Sequence, residues 1–458
     1  MPPYKASLAN ALNMLAPRGY YSLPVSHSNS CTAPTDPALN ASALLALQHR
    51  KLAELLDVVR RFNPFYQNKL RGIDVGESGL LESLPFTTRQ ELEADQLAHP
   101  PYGTNLTYPL RRYTRYCQTS GTGGRPMRWL DTPQSWAWIA RCWEIIFGAA
   151  GITPDDRLLF AFSFGPFLGF WGAFEGSVTE GYLSIPAGGM STISRLRMIL
   201  DNQVTVVLCT PTYALHMAEV AKAEGLDLAG SAVRALFVGG EPGGSIPETK
   251  HAIETAWGAR LYDHTGMTEL GPMSFECEPN PLGVHVIESE FIAEVIDPKS
   301  GALLPEGQLG ELVVTNLGRH GSPLIRYRTG DLVRLTRGTC ACGRCDARLE
   351  GGILGRVDEM FIVRGNNVFP TAVEAVLRRF PEVAEFRLHV FEDGALTQVR
   401  LEVEPKPDVN DANGLCQRIG NTLQASLSFR AEVQAVACGS LPRFEMKAKR
   451  FVRVRKKN

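Results

Sequence analysis

Five stretches of this 458-residue chain combine residue types and spacings that could do chemistry. The first is Cys117-Gln118-Thr119-Ser120-Gly121-Thr122-Gly123-Gly124-Arg125-Pro126, in which Thr119 to Gly124 are all small or hydroxylated. Glycine lets a backbone approach a ligand closely and adopt positive φ, so that successive N–H groups converge on an anion. Ser and Thr add hydroxyl donors, and Arg125 adds a fixed charge. A polyphosphate suits that set, and so does a plain Gly/Ser/Thr turn. The G-x-x-x-x-G-K-[ST] order of a Walker A loop is missing. The second stretch is Tyr262-Asp263-His264-Thr265-Gly266-Met267-Thr268-Glu269-Leu270-Gly271. A carboxylate such as Glu269 beside a polyphosphate loop suits Mg²⁺, a hard ion that neutralises phosphate charge. The Thr-Glu pair also reads as a helix start.

In the third, Ile325-Arg326-Tyr327-Arg328-Thr329-Gly330-Asp331, the aspartate follows a strand-like run on a glycine turn. Its carboxylate could accept hydrogen bonds from ribose hydroxyls, or simply complete a Gly-Asp turn. The fourth comprises Cys277-x₇-His285 and Cys340-x-Cys342-x₂-Cys345, four thiols and an imidazole. Soft thiolates with one His read as structural Zn²⁺, with reduced surface cysteines as the alternative. The fifth, Leu441 to Arg450, carries Lys447 and Lys449, either point charges that reach a phosphate or a solvated basic tail.

Regular elements must position these groups. Apolar residues at helical spacing from Ala43 to Leu70 predict an amphipathic helix and a second one near Tyr66. Thr88 fits an N-cap, with Glu91 as its capping-box partner. Arg157–Phe162, Val204–Cys209 and Ala235–Val238 read as buried strands, with helices at Ile193–Leu200 and Tyr213–Ala223 between them. This alternation predicts a parallel sheet covered by helices, with Gly239-Gly240-Glu241 at a strand's carboxyl end, where ligands sit. From Glu288, alternating runs at Phe291–Ile296 and Gly310–Thr315 predict antiparallel strands. A last α+β unit of about 100 residues begins near Gly355. Residues 1 to 40 read as a loosely held leader.

Hydrophobic content of 44%, charged content of 21% and a net charge of -1 describe a globular protein with no overall pull toward nucleic acid or acidic lipid. No apolar run reaches the roughly 20 residues that cross a bilayer, and no signal-peptide core opens the chain. A cytoplasmic protein with reduced thiols is expected.

In chain order and at these separations, the glycine-rich stretch, the Thr268-Glu269 segment, the Asp331 segment, Gly355 to Met360 with Val363 to Pro370, and Leu441 to Arg450 resemble the adenylate-forming superfamily, and within it the phenylacetate–CoA ligase family, from about residue 45 to 455. The likeness also includes Leu84-Pro85-Phe86-Thr87-Thr88, Gly239-Gly240-Glu241-Pro242-Gly243, Cys277 to His285, Pro323 to Asp331 and Gly355 to Pro370. The resemblance implies an α/β fold. A large N-terminal domain, residues 1–354, would combine mixed and parallel sheets with helices and a β-rich subdomain. A small, mobile C-terminal α+β lid, residues 355–458, would carry the catalytic lysine. Thr119, Ser120, Gly121, Thr122 and Gly123, with Arg125, match the loop over the β- and γ-phosphates. Gly239, Gly240, Glu241 and Pro242 match the adenine-side segment, and Asp263, His264 and Thr265 line the same nucleotide site. Thr268 and Glu269 match the Thr-Glu pair, with Glu269 on Mg²⁺. Asp331 matches the ribose aspartate, Arg356 the arginine before the hinge, Asp358 the hinge, and Lys447 the lysine on the carboxylate and α-phosphate.

The sequence departs from the family pattern at three places. Thr265 stands where an aromatic usually covers adenine, leaving that task to His264 or Tyr262. Arg125 replaces the common lysine, and Met446 replaces the glycine before Lys447, which makes Lys449 the fallback. Some family members carry zinc at positions matching Cys277, His285, Cys340 and Cys342, with Cys345 spare. Phe162, Phe164, Phe167, Phe170, Trp171 and Phe174, spaced by glycines, fit either plain core or, by family analogy, the walls of a pocket for an aryl acid. Gly239 and Gly240 would leave room for its ring.

The implied activity is ATP-dependent formation of an acyl-adenylate with release of pyrophosphate, followed by transfer to CoA. A different acceptor (an amine, a carrier-protein thiol or a small inorganic nucleophile) is a second reading, and an inactive nucleotide- or acyl-binding regulator a third. The partners would be a small carboxylic acid and CoA, with no nucleic acid or membrane, and the likeness allows a homodimer.

Overall fold

A computed structural model describes residues 39–73, 81–119, 125–363, 366–392, 397–444 and 449–454. The expected leader therefore lies almost wholly outside the described residues. So do Ser120, Gly121, Thr122 and Gly123 of the glycine-rich loop, and Lys447.

Helix α1 (Ala41–Phe62) starts where the Asn40 side chain accepts the Ala43 N–H, and it buries Leu44, Leu52, Leu55, Leu56 and Val59. Asn63 then caps α2 (Pro64–Lys69), whose leading proline has no N–H to leave unsatisfied. Helix α3 (Arg89–Ala98) opens on the expected capping box, in which Thr88 and Glu91 satisfy each other's backbone N–H groups. Strands β1 (Arg115–Gln118) and β2 (Arg128–Asp131) then form an antiparallel hairpin around the glycine-rich stretch.

The expected parallel sheet is present. It comprises β3 (Arg157–Phe160), β4 (Leu183–Pro186), β5 (Val206–Cys209), β6 (Ala235–Val238) and β7 (Arg260–Asp263), in the order β4-β3-β5-β6-β7. Side chains alternate across it. Leu158, Phe160, Val206, Leu208 and Phe237 pack with α4 (Pro133–Ala149) and α5 (Leu168–Thr179). Leu159, Val207, Leu236, Val238 and Leu261 pack with α6 (Thr192–Asp201), α7 (Pro211–Ala223) and α8 (Pro247–Trp257). Burial on both faces is why these strands read as continuous apolar runs.

After β7 come two short paired strands, β8 (Gly266–Met267) and β9 (Gly271–Pro272). An antiparallel sheet follows: β10 (Ser274–Cys277), β11 (Asn280–Val286), β12 (Phe291–Ile296), β13 (Leu309–Asn316), β14 (Tyr327–Thr336) and β15 (Arg348–Glu350), ordered β10-β11-β15-β14-β13-β12. The strand β16 (Gly355–Arg356) pairs with β14, placing Arg356 opposite Asp331. The C-terminal unit adds the hairpin β17 (Phe361–Val363) and β18 (Asn366–Val368), helices α9 (Pro370–Leu377) and α10 (Ala412–Leu427), and a four-stranded sheet. That sheet comprises β19 (Val383–Phe391), β20 (Gln398–Pro405), β21 (Glu432–Ala435) and β22 (Phe451–Val454), ordered β21-β20-β19-β22. Its apolar cluster, including Phe361, Val373, Leu388, Leu401, Leu415 and Ile419, is separate from the others.

Two local expectations need correcting. Asp331 lies inside β14 rather than after a strand, and the turn expected there is an irregularity in the β13–β14 pairing beside Gly330, whose φ is +75°. Thr268-Glu269 starts no helix; the pair sits in the short turn between β8 and β9.

Candidate active site

The Thr268–Glu269 turn is built by glycine and held by arginine. A Cβ on Gly266 would come 2.9 Å from the Gly271 carbonyl oxygen, and Gly271 has a φ of +101°, so the two short strands can close only with glycine there. Arg319 then takes the exposed carbonyls of the turn. Its Nη1 donates to Thr268 O at 2.7 Å and Glu269 O at 2.9 Å. Its Nε and Nη2 donate to the Asp131 carboxylate at 2.7 and 2.6 Å, and both side chains are 0% exposed. This forked pair ties the glycine-rich hairpin, through β2, to the Thr-Glu turn. Nothing in the sequence around Arg319 or Asp131 signals that connection.

The Glu269 carboxylate is buried, and burial pushes its pKa up while its own backbone N–H and Arg89, Arg319 and Arg356 pull it back. Arg89, the first residue of α3, faces it at 3.4 Å. Asp331 accepts from Arg356 Nη1 at 2.9 Å, and Arg356 Nε donates to Asp358 at 2.9 Å. These neighbouring carboxylates push the Arg356 pKa up against its burial. Tyr327, 2% exposed, lies within the field of Glu269, Arg89, Asp331 and Arg356. The structure thus gathers Glu269, Asp331 and Arg356, distant in sequence, into one charged cluster.

Other expected residues are engaged as follows. Thr119 closes the hairpin base: its N–H donates to Met127 O and its hydroxyl accepts the Met127 N–H, each at 3.0 Å. Arg125 is exposed. Glu241 accepts the Thr212 N–H at 2.9 Å, fastening Gly239 to Pro242 to the start of α7. Asp263 accepts the Ser245 hydroxyl at 2.5 Å, and burial pushes its pKa up to about 7. Thr265 is bonded to Ser274 through both its N–H and its hydroxyl, at 2.8 and 2.7 Å.

The room expected over Gly239 is taken. A Cβ there would lie 2.6 Å from His264 Cε1, while at Gly240, with a φ of +86°, nothing comes within 4 Å. His264 also meets Trp143 edge-on at 4.8 Å, and burial pushes its pKa down to about 4, so the imidazole is neutral at pH 7. Tyr262 is enclosed against Phe237, with ring centroids 5.5 Å apart.

The aromatic residues form one cluster. Phe162 stacks on Phe170 at 4.1 Å, Phe164 meets Trp171 at 4.9 Å and Phe174 at 5.4 Å, and Phe167 meets Phe170 at 6.0 Å. Trp171 is 38% exposed and donates to Gly165 O at 3.0 Å, and the Gln118 N–H reaches Pro166 O at 2.8 Å, so the cluster adjoins the hairpin.

Cys277, His285, Cys340 and Cys342 also come together, with all four ligand atoms within 4.8 Å of one another. Cys277 Sγ and Cys340 Sγ are 3.7 Å apart, and Cys342 Sγ is 3.6 Å from His285 Nε2. Zn–S bonds of about 2.3 Å at tetrahedral angles require S···S edges of about 3.8 Å and slightly shorter S···N edges, so the donor set fits zinc. His285 Nδ1 faces Asp346 O at 3.1 Å, which leaves Nε2 for a metal. Cys345 instead donates to Leu39 O at 2.7 Å.

The C-terminal unit reaches the main body through Arg379, which pairs with Glu248 of α8 at 3.1 Å, and through Arg450. Arg450 Nε and Nη2 donate to Glu385 at 2.6 and 3.1 Å, and its Nη1 donates to Thr212 Oγ1 of α7 at 3.1 Å. Arg453 donates to the backbone carbonyls of Asp358, Glu359 and Met360, clasping the segment after Arg356.

Comparison with known proteins shows what the chain is similar to. Residues 113–318 match the model of the AMP-binding enzymes, and residues 365–455 match that of the AMP-binding enzyme C-terminal domain. The chain is 35% identical to the phenylacetate–coenzyme A ligase of Thermus thermophilus over 379 residues, covering 81% of this chain and 83% of that one. The chain belongs to the phenylacetate–CoA ligase family of adenylate-forming enzymes. Its Escherichia coli relative of the same name is 32% identical, with 92% of this chain and 97% of that one covered. Among solved structures, a 2-hydroxyisobutyryl-CoA ligase in its postadenylation state superposes with a TM-score of 0.86 at 30% identity, covering 94% of each chain. The same ligase in its thioesterification state gives 0.68 at 30% identity, covering 91% of each.

Among the described residues no helix is long and apolar enough to cross a membrane.

Proposed function

We propose that this chain activates an aryl or arylacetic acid with ATP and hands the acyl group to CoA. Family membership supplies the reaction class, AMP-forming acid–thiol ligation; the charged cluster and the aromatic cluster support the roles below. A carboxylate oxygen of the acid attacks the α-phosphorus. The bond from that phosphorus to the oxygen bridging to the β-phosphate breaks, and pyrophosphate leaves with the electron pair. The thiolate of CoA then attacks the acyl carbon, and AMP leaves. Catalysis of such transfers is mostly positioning and neutralisation of charge.

The hairpin loop from Thr119 to Gly123, with Arg125, cradles the β- and γ-phosphates. Thr268 and Glu269 face the triphosphate, and the buried Glu269 carboxylate fits a magnesium ligand. Magnesium there would add positive charge to the phosphates. Asp331, paired with Arg356 at 2.9 Å, takes the ribose hydroxyls. Gly240, Glu241, Pro242, Asp263, His264 and Thr265 line the nucleotide side, with the neutral imidazole of His264 fixed beneath the Gly239 backbone. Residues 1–354 form the binding domain and residues 355–458 the lid, which pivots at Asp358 and brings Lys447 to the carboxylate and α-phosphate. Reduced thiols suit a cytoplasmic protein.

Phe164, Phe167, Phe170 and Trp171 form the wall that favours a flat acid. Acid-dependent ATP–pyrophosphate exchange is expected to favour phenylacetate and benzoates over 2-hydroxyisobutyrate and octanoate by at least about tenfold in kcat/KM, the scale of a few methylenes in an apolar pocket. Preference for either aliphatic acid would remove the aryl assignment and leave the reaction class standing.

Zinc at Cys277, His285, Cys340 and Cys342 would clip β10 and β11 to the loop before β15, and so stiffen the β-rich sheet. Metal analysis is expected to find about one zinc per chain. Cys277→Ser with Cys340→Ser is expected to abolish zinc binding and lower the thermal midpoint. Zinc-free protein with an unchanged midpoint would contradict the assignment.

A further inference from the structure

The guanidinium of Arg89, on a side chain 32% exposed, lies beside Glu269 with one of its nitrogens buried and without a hydrogen-bond partner among the described residues. The segment that carries it is pinned to β14: the Thr87 N–H donates to Arg326 O, and the Arg328 N–H to Thr87 O, each at 2.9 Å. Thr87 Oγ1 also donates to Ile325 O at 2.8 Å. Arg89 Nε donates to Glu93 Oε1 at 2.7 Å, and Nη1 lies 3.4 Å from Glu269 Oε1. The third nitrogen, Nη2, is shut off from solvent and has no hydrogen-bond partner among the described residues. A dry guanidinium N–H₂ without an acceptor is costly, and a ligand oxygen is the simplest remedy. Arg125 is exposed, and among the described residues Arg89 is the arginine whose side chain meets the Glu269 carboxylate directly.

We propose that Arg89 binds the pyrophosphate end of ATP and holds the leaving pyrophosphate during adenylation. This rests on the reading above that Glu269 faces the triphosphate. Glu269 Oε1 meets Nη1 only at 3.4 Å. When ATP enters, its phosphate oxygens fill Nη2 and compete for Nη1, and the planar fork suits two phosphate oxygens at once. As the bond at the α-phosphorus breaks, negative charge accumulates on the departing pyrophosphate, and Arg89 stabilises it there without transferring a proton. The second half-reaction contains no pyrophosphate and makes no such demand on Arg89.

The test separates the two halves in the full-length chain. For Arg89→Gln and Arg89→Lys, ATP–pyrophosphate exchange is measured against conversion of a supplied acyl-adenylate by CoA. Arg89→Gln is expected to raise the KM for pyrophosphate and lower kcat/KM for ATP by about 10- to 100-fold, the range for a lost charged hydrogen bond. Arg89→Lys should recover part of that loss, and CoA-dependent conversion should stay near the wild-type rate. Pyrophosphate, with and without magnesium, should raise the thermal midpoint of the wild-type protein and of Arg89→Lys more than that of Arg89→Gln. Equal losses in both halves, or an unchanged response to pyrophosphate, would overturn the proposal. If Arg89→Gln does not fold, the lysine variant decides: a pyrophosphate KM equal to wild type overturns it too. A wild-type protein that exchanges pyrophosphate with no acid would sink the proposed function instead, a distinct outcome.

Discussion

Arg319→Met is expected to cost about 3–5 kcal/mol of stability and to abolish adenylation, because it strands the Asp131 carboxylate in a dry interior. Both partners are 0% exposed, and the guanidinium makes two bonds to Asp131 and two to the carbonyls of Thr268 and Glu269. Urea unfolding of the variant reads the first effect and pyrophosphate exchange the second. The double variant Arg319→Met with Asp131→Leu separates them. Replacing a buried ion pair by apolar groups is often neutral, so stability should largely return. Activity should not, since the carbonyls of the Thr-Glu turn still lack donors and the Glu269 carboxylate loses its fixed direction. A stable and active double variant would show that the arginine serves packing alone.

Lys447→Ala is expected to lower pyrophosphate exchange by about 10²–10³-fold, the scale for removing one charge-stabilising donor from a transition state. Conversion of a supplied acyl-adenylate by CoA should be nearly spared, because that step leaves the α-phosphate–oxygen bond to AMP intact. Lys449 is exposed, so Lys449→Ala should act like a surface substitution. If the two variants exchange these behaviours, Lys449 is the working lysine and the methionine at 446 has shifted the register. Arg450, three positions after Lys447, is fixed by Glu385 and by Thr212.

The parts of this fold legible in the sequence are those decided locally. The capping box at Thr88 and Glu91 is a four-residue signal, and it stands as expected. Strands such as Val206–Cys209 and Ala235–Val238 are apolar on both faces because helices cover both. The four metal-binding candidates were found because thiol and imidazole are rare and their chemistry is specific. Residues whose role comes from partners far along the chain gave no such signal. Arg319 sits in an ordinary polar loop, and its significance lies in Asp131, 188 positions away. Arg89 carries no signal of its own in the sequence; only the fold sets it 3.4 Å from Glu269, 180 positions away. Gly239 was expected to leave space, and that space holds an imidazole from the next strand's exit. Asp331 looked like a turn residue because glycine precedes it; the neighbouring strand β13 absorbs that glycine in an irregular pairing.

The central claim is that ATP loses pyrophosphate, not a single phosphate, to an organic acid on this chain, and that CoA then takes the acyl group. The most direct measurement follows labelled ATP through a single turnover with phenylacetate, first without CoA and then with it. The account predicts enzyme-bound acyl-adenylate and free pyrophosphate before CoA, then AMP and acyl-CoA in equal amounts once CoA is added. Formation of ADP and inorganic phosphate, or no cleavage of ATP with any acid, would contradict it.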